Sequence, residues 1–483
     1  MEEVKIVPLQ CPSCGNTSNV PEKELSYGCQ FTCSYCGTVS RLIIGGRLYV
    51  PLPGEHVCVK CGRVAPPGAR FCQCGAPFVR KCVNPECFKE FPVDHNICDY
   101  CGWPQDVDPS SEAAVALRVQ RAIQSFSDPD PDVVRRACLV LGQMGPSAAE
   151  AVPALISLLE STGNPEVQKA ASLALGAIGP ASATAVPVLA GLIRASGNPE
   201  VIGAACRALG AIGPASAPAV PALTELLRTS KNPEVLEVAC LALAAMGPAS
   251  SGAVPALTEL LLTSGNVAVL KAICLALSAI GPAASGAIPA LIKFIRLQQN
   301  EELIREACKV LGWIGPAAVP ALVGLINSSD APPVVRWAAC KALRLTGPAA
   351  VEAVPSLIGI IKGHKKELAW VVVAACEALG SIGPAASRAI PALADLIKSS
   401  SYHDVCEAAY GALGKIGPEA IPALVNLIRS DCGPSTGIKI LEEIGEPALP
   451  ALKSLSSWLS GLPGELRKQA KEAVERIESR RGA

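Results

Sequence analysis

Apolar residues recur at helical spacing along most of this chain, in a pattern that repeats every 34 residues. Residues 201–234 read VIGAACRALGAIGPASAPAVPALTELLRTSKNPE, and closely similar stretches lie at 167–200 and 235–268. A fixed period of this length is typical of stacked structural units, each of which buries its apolar face only against its neighbours. The pattern therefore predicts a row of packed helical units.

Each unit carries the start and stop signals of two helices. In Asn164-Pro165-Glu166, the asparagine can accept free backbone N–H groups, the proline suits the first helical turn, and the glutamate complements the positive helix end. In the unit before, Gly145-Pro146 ends the first helix, with a left-handed C-cap expected at the glycine. A second helix opens at Ala151-Val152-Pro153. The sequence thus predicts two antiparallel helices per unit, joined by a loop of small residues.

Two columns of small residues run through the first helices of the units. One holds Gly142, Gly176, Gly210, Gly312, Gly380 and Gly414. A glycine inside a helix costs about 1 kcal/mol relative to alanine, so its recurrence predicts close approach of a neighbouring helix. The other column holds Cys138, Cys206, Cys240, Cys274, Cys308, Cys340 and Cys376. We interpret these cysteines as small core residues rather than as metal or redox groups.

The first hundred residues use cysteine differently, because 13 of the 22 cysteines lie at or before Cys101, mostly in close pairs. Paired cysteines at this spacing favour tetrahedral zinc sites, with four thiolates per metal ion and no open coordination position. We predict three structural zinc sites, paired in sequence order; interleaved pairing of the last two is the alternative. The sets are Cys11, Cys14, Cys33 and Cys36; Cys58, Cys61, Cys72 and Cys74; and Cys82, Cys87, Cys98 and Cys101.

Two remaining details concern the first zinc site. Residues 30–32 and 38–44 have the β-branched and aromatic content of short strands. Cys29 breaks the spacing of the cysteine pairs, so we interpret it as a strand residue, with replacement of Cys33 as the alternative.

These motifs carry resemblances to known families. Residues 1–50 resemble a zinc ribbon, and residues 51–104 resemble the double zinc ribbon of prokaryotic multidomain proteins, although the Cys72–Cys74 pair is shorter and the Cys82–Cys87 pair longer than usual. The repeat reads Val-x-x-Ala-Ala/Cys-x-Ala-Leu-Gly-x-Ile-Gly and then Ala-Val-Pro-Ala-Leu. It resembles HEAT repeats of the type named after phycobilisome lyases, over roughly residues 112–460.

The expected fold is mainly α. An α-solenoid of HEAT-like helical hairpins over residues 112–483, ending in a charged capping helix, follows small β-rich zinc ribbons. The expected divisions are a zinc ribbon at 1–50, a double zinc ribbon at 51–104, a linker at 105–111 and the solenoid at 112–483.

A partner surface is expected on the first helices of the units. One column is apolar where this repeat class is usually polar. If its side chains are exposed, they form an apolar stripe on which a partner can dock. Packing of these side chains between repeats is the favoured alternative. Its members are Val134, Ile202, Leu236, Leu270, Ile304 and Val372. The next column holds Arg135, Lys169, Lys271 and Arg305, together with Glu237. From these columns we select Ile202, Leu236, Leu270, Ile304 and the four basic residues as candidate partner-binding residues.

The charge balance and the lack of catalytic motifs in the sequence reduce the number of functions expected for this chain. Lys plus Arg and Asp plus Glu both number 42, which argues against a general nucleic-acid binder. A late basic cluster beside Trp337 and Trp370 keeps nucleic acid as a less favoured partner; it comprises Arg336, Lys341, Arg344, Lys362, Lys365 and Lys366. The sequence shows no phosphate-binding glycine loop or nucleophile motif. The expected function is a non-catalytic protein-binding scaffold without a small-molecule substrate, with a nucleic-acid binder or a bilin lyase-like enzyme as alternatives.

The compartment follows from the start of the chain and its apolar runs. Residues 1–10 are charged and lack the apolar core of a signal peptide. The longest apolar run, residues 267–292, contains Lys271 and is interrupted by Gly281-Pro282, which indicates a helix pair rather than a membrane span. We therefore expect a cytoplasmic protein that does not enter a membrane.

The zinc sites give a direct test. A strong chelator is expected to unfold residues 1–104 and to leave the helical circular-dichroism signal of the repeats intact. Segments this short fold on metal binding, which supplies on the order of 10–16 kcal/mol per site. Zinc content near zero in cleanly purified protein would contradict the prediction.

Overall fold

The computed structural model describes residues 112–363, 369–458 and 464–481, together with short strand segments and Arg63 between residues 6 and 92. The chain divides into two compact units, Met1–Gln120 and Arg121–Ala483. They are described separately below.

The first unit contains short antiparallel strands. Strands β1 (Ile6–Gln10) and β2 (Thr17–Pro21) pair, as do β6 (His56–Val57) with β7 (Val64–Ala65) and β8 (Val79–Lys81) with β9 (Glu90–Pro92). Strands β3 (Gln30–Thr32), β4 (Val39–Ile43) and β5 (Arg47–Tyr49) form a three-stranded sheet in that order. Strands β3 and β4 coincide with the segments that the sequence predicts to be extended. The twelve predicted zinc ligands and Cys29 lie outside the described residues, so the zinc ribbons stay a prediction.

The rest of the described chain is helical, beginning with α1 (Glu112–Gln124) and a 3-10 turn at Ser125–Ser127. Long helices then alternate with short ones. The long helices are α2 (Pro131–Met144), α4 (Pro165–Ile178), α6 (Pro199–Ile212), α8 (Pro233–Met246), α10 (Val267–Ile280), α12 (Glu301–Ile314), α14 (Pro333–Thr346), α16 (Ala369–Ile382), α18 (His403–Ile416) and α20 (Pro434–Ile444). The short helices are α3 (Val152–Ser161), α5 (Val186–Ala195), α7 (Val220–Thr229), α9 (Val254–Thr263), α11 (Ile288–Leu297), α13 (Val319–Asn327), α15 (Val354–Lys362), α17 (Ile390–Ser399), α19 (Ile421–Arg429) and α21 (Leu449–Trp458). Helix α22 (Gly464–Arg481) follows.

The predicted helix starts are confirmed. The side chain of Asn164 accepts a hydrogen bond from the backbone N–H of Glu166 at 2.9 Å, and Asn198, Asn232, Asn266 and Asn300 cap their helices in the same way. At α2 the carboxylate of Asp130 takes this role, accepting from the backbone N–H of Asp132. An Asn or Asp cap satisfies a backbone donor that has no partner within the helix.

The helix ends differ from the prediction in two respects. The segment after each long helix is a 3-10 turn, such as Gly179–Ala185, and not an irregular loop. Gly145 has φ 58° and ψ −135°, and Gly179 has φ 76° and ψ −140°, so the positive φ is correct but the conformation is not left-handed helical. A proline follows both of these glycines, and its Cδ disfavours a helical ψ in the residue before it. Gly445 has φ 83° and ψ −140° before Glu446, so the turn itself also favours this mirror image of the extended region, which only glycine enters easily.

The helices form two layers that enclose the core. Each long helix packs against the next long helix, and each short helix packs against the long helix that follows it. Leu175, Leu189 and Leu209 are fully buried between the layers. The predicted solenoid of repeated helical hairpins is therefore confirmed.

Close contact between long helices occurs at the glycine column. A Cβ atom on Gly176 would lie 3.0 Å from Ala208 Cα, and one on Gly312 would lie 2.9 Å from the carbonyl oxygen of Ala342. Real Cβ atoms essentially never show a contact as short as that at Gly312, and the contact at Gly176 is shorter than most that they make. The glycine column is thus explained by the approach of the neighbouring helix, as predicted.

Six helical runs, such as Val267–Leu297, have the length and hydropathy of membrane spans. Each contains a 3-10 turn between two α-helices, and the longest α-helix in these runs has 14 residues. At a rise of 1.5 Å per residue such a helix is about 21 Å long, less than the roughly 30 Å of a bilayer core. In Val267–Leu297 the turn begins at Gly281, so this run is the helix pair that the sequence predicts.

The glycine contacts predict opposite effects at two helical glycines. Gly312→Ala is expected to lower the free energy of unfolding by on the order of 1 kcal/mol or more, because the new methyl group meets backbone atoms. Gly411→Ala, in α18 with nothing within 4 Å of the new Cβ, is expected to raise it by up to about 1 kcal/mol. Urea unfolding midpoints measure both, and a stabilised Gly312→Ala variant would contradict the packing argument.

Candidate protein-binding surface

Each long helix exposes one narrow face, which is illustrated by α10. Ala268, Lys271, Leu275 and Ala279 are exposed, whereas most of the residues between them are buried. Counted from the first residue of the helix, these are positions two, five, nine and thirteen, which lie one above the other on a helix. The same positions are exposed or partly exposed on the neighbouring long helices, so successive repeats share one surface.

Large apolar side chains occupy much of this surface. We define the Leu–Trp strip as Leu139, Leu173, Leu241 and Leu275 at position nine and Trp313 and Leu345 at position thirteen. Leu275 is 52% exposed and Trp313 is 51% exposed. Exposed alanines accompany them at position thirteen: Ala177, Ala211, Ala245 and Ala279. An apolar strip that crosses several repeats is more than the scattered single residues normal for a protein surface.

Ion pairs border the strip and join neighbouring repeats. Lys169 at position five of α4 pairs with Glu200 at position two of α6, and Lys271 pairs with Glu302 in the same way at 2.7 Å. The hydrogen bond and charge of Glu200 raise the pKa of Lys169, and Lys169 lowers the pKa of Glu200 in turn. These exposed pairs hold the register between repeats rather than adding much stability.

The structure thus places the four basic candidate residues as follows. Lys169 and Lys271 are engaged by glutamates of the next repeat, and Arg135 pairs with Asp132 one helical turn earlier at 3.2 Å. Arg305 is exposed on α12. All four border the Leu–Trp strip, and their contact with a partner stays a prediction.

The apolar candidate residues do not form the exposed docking stripe that was one of the two expectations for them. Leu236, Leu270 and Ile304 are buried, and Ile202 is only partly exposed. They occupy position four, on the same side of the helix as the core residues at positions three, seven, eight and eleven. Packing between repeats, the alternative favoured from the sequence, accounts for this column.

The Leu–Trp strip was missed in the sequence, although a signal for it exists. Position nine holds leucine in some repeats and Arg207, Lys309, Lys341 or Glu377 in others. A column with charged side chains in four repeats faces outward in those repeats, and the regular packing gives the same orientation in the others. Leucines in such a column are therefore surface residues.

The repeat interface between α14 and α16 departs from this scheme. Trp337 at position five and Trp370 at position two occupy the places of the Lys169–Glu200 pair, with ring centroids 6.1 Å apart and an interplanar angle of 64°. Trp370 is 43% exposed. Edge-to-face contact of this kind is favourable for aromatic rings. An aromatic pair here extends the apolar surface beyond the strip.

Part of the predicted basic cluster is neutralised at the same interface. Lys341 and Arg344 both pair with Glu377 of α16. Lys362 is exposed at the end of α15, and Lys365 and Lys366 lie outside the described residues. The pairing with Glu377 leaves less positive charge for a phosphate backbone than the sequence alone indicates.

The cysteine column lies in the core. Cys138, Cys206, Cys240, Cys274, Cys308, Cys340 and Cys376 are all buried and free. Burial raises the pKa of each of these thiols to about 12, because the charged thiolate loses its solvation. Within the described part of the chain, no group of three or more His, Cys, Asp or Glu side chains could hold a metal ion.

Comparisons with known proteins agree with the repeat pattern. A family model described as HEAT repeats matches residues 119–210, 187–278, 220–303, 288–372 and 361–436. The comparison with curated proteins gives no match. Among solved structures, Kap121p is similar at 14% identity and a TM-score of 0.46, over 77% of this chain and 46% of that one. Importin beta in an ammonium sulfate condition is similar at 15% identity and a TM-score of 0.44, over 76% of this chain and 57% of that one. The chain spans about half the length of these two proteins.

The raised thiol pKa values predict selective labelling. At pH 8, a thiol of pKa 12 is ionised in only about one molecule in ten thousand, and burial also blocks access. Iodoacetamide at pH 8 is expected to modify the partly exposed Cys432 in native protein and to leave the seven buried cysteines intact until denaturant is added. Peptide mass mapping measures each site separately, and rapid modification of native Cys308 would contradict the assignment.

Proposed function

This chain belongs to the HEAT-repeat family, and from that premise we propose that it is a non-catalytic scaffold that binds another protein along its repeats. The observation that carries the proposal is the Leu–Trp strip. It offers leucine and tryptophan side chains on α2 and α4 and on the four successive long helices α8 to α14, where a soluble protein normally carries polar residues. Burial of such apolar side chains against a partner is favourable, and tryptophan is among the residues that most often dominate the binding energy of protein interfaces.

The spacing of the strip favours a particular kind of partner. Neighbouring packed helices lie about 8–10 Å apart, so the anchors recur at that interval across the repeats. In an amphipathic helix laid across them, every seventh residue returns to the same face after about 10 Å. We propose that the partner contributes such a helix, with its apolar side facing the Leu–Trp strip and its polar side facing solvent.

The N-terminal cysteine sets complete the proposal. Three zinc ions, each held by four cysteines, would fold residues 1–104 into small modules that act as structural or additional docking elements. A cytoplasmic location without a membrane role is proposed with them, since a reducing compartment keeps such thiolates available for metal.

The two alternative functions have less support. Nucleic-acid binding would rely on the basic cluster near Trp337, where Glu377 already pairs with Lys341 and Arg344. A bilin lyase-like activity rests on the resemblance of the repeat alone, and a shared repeat type does not transfer an activity.

Matched leucines on the two layers test the scaffold proposal. Leu241 on the Leu–Trp strip and Leu262 at the end of the short helix α9 are each 40% exposed. Leu241→Glu is expected to weaken partner binding at least tenfold, because a charge is buried in the apolar contact, whereas Leu262→Glu leaves it unchanged. Partners are those proteins that immobilised wild-type chain retains from native lysate in a saturable manner.

The comparison of variants decides the outcome. Far-UV circular dichroism should show the same helical content in all three proteins. If Leu241→Glu retains the same proteins as wild type, or if Leu262→Glu loses them to the same extent as Leu241→Glu, the Leu–Trp strip is not the binding surface.

A further inference from the structure

Arg336 carries a charge at a position that is apolar in most repeats, with Gln168 of α4 as a polar exception. It is position four of α14, where the corresponding residues Leu236, Leu270, Ile304 and Val372 are buried. Arg336 is partly exposed, but its Nε atom is shielded from solvent and has no hydrogen-bond partner among the described residues. An unsatisfied donor on a charged group costs more than an ordinary missing hydrogen bond. A ligand of opposite charge beside this guanidinium group would accept a hydrogen bond from Nε and balance the positive charge.

The group lies beside a cavity of about 230 Å³ between the two helix layers. Ile326, Val371 and Val372 form its buried, apolar side. Asn327 and Gly359 form its exposed side, which leaves it open to solvent. The two glycines of the lining, Gly359 and Gly363, contribute no side chain that would fill it.

A second polar departure faces the same cavity. Ser356 is position three of α15, where eight of the other short helices carry alanine: Ala154, Ala222, Ala256, Ala290, Ala321, Ala392, Ala423 and Ala451. Asn327 Nδ2 donates a hydrogen bond to Ser356 Oγ at 3.0 Å. The Ser356 hydroxyl is then oriented as an acceptor of that bond and can donate its own proton. The cavity therefore combines a cation with a hydroxyl donor.

We propose that this cavity, the Arg336 cavity, binds a carboxylate group on a short aliphatic stem. Among the described residues, Arg336 is the one charged residue that lines the cavity, so a monoanion balances it, whereas a phosphate would bring up to two negative charges. A guanidinium group matches the two oxygens of a carboxylate, and the Ser356 hydroxyl can serve one of them as well. The apolar side, formed by Ile326, Val371 and Val372, suits the carbon atoms of the stem.

Two sources offer this chemistry, a free short-chain acid and a glutamate side chain on a protein segment. Because none of the described residues that line the Arg336 cavity belongs to the Leu–Trp strip, the inference does not depend on the scaffold proposal. Equilibrium dialysis of the full-length protein with labelled butyrate tests the first source, and dialysis with a blocked Ala-Glu-Ala tripeptide tests the second. Butyramide and Ala-Gln-Ala are the uncharged control ligands.

The variants are chosen from the repeat itself. Arg336→Leu introduces the residue that other repeats carry at this position, so it is expected to fold, and Arg336→Gln is a second neutral replacement. Arg388→Leu is the control, because Arg388 is exposed in the 3-10 turn Gly383–Ala389 and does not line the cavity. Wild type and Arg388→Leu are expected to bind one carboxylate probe per chain in a saturable manner.

Both Arg336 variants are expected to lose at least tenfold in affinity, and neither uncharged ligand should bind. The probe that binds more tightly identifies the source. Absence of saturable binding of both carboxylate probes to wild type, or equal binding by the Arg336 variants, would overturn the proposal.

Discussion

The structure depends on the close approach of successive long helices at one column of small residues. At Gly210 and Gly380, an added Cβ would lie 3.3 Å and 3.2 Å from the Cα atoms of Ala242 and Ala412, so the backbones themselves determine the spacing. The other contacts between neighbouring repeats form at the helix spacing that this close approach sets. Pairs such as Arg194–Glu225 on the short helices and Lys271–Glu302 on the long ones join residues 31 positions apart, because adjacent repeats are held at the same offset.

This spacing divides the positions of the repeat into two classes. Positions inside the layers must be small or apolar, since little room is left between the helices, and cysteine serves there as a small apolar residue. Positions two, five, nine and thirteen face outward and are free to vary. Variation at those positions distinguishes one repeat from the next, and the Leu–Trp strip results from leucine or tryptophan where a neighbouring repeat has arginine, lysine or glutamate.

The departures from the repeat are concentrated around helices α13 to α16. Helix α14 begins after Pro332 without a side-chain cap, unlike the asparagine-capped helices before it. Trp337 and Trp370 replace an ion pair, and Arg336 replaces an apolar residue facing the cavity. The spacing also changes here, to 32 residues between Gly312 and Arg344 and 36 between Arg344 and Gly380. A regular array with one irregular region thus combines an extended surface with a separate polar cavity.

The sequence by itself determined the period, the helix boundaries, the asparagine caps and the small columns, because these depend on sterics and hydrogen bonds within a few residues. Only the tertiary structure decided which columns are exposed. Neighbouring positions differ by 100° around a helix, so Leu270 at position four and Lys271 at position five fall on opposite sides of a boundary that packing alone defines. The ψ angle of Gly145, the contact of Trp337 with Trp370 and the shielding of Arg336 Nε from solvent likewise depend on atoms brought together by the stacked helices.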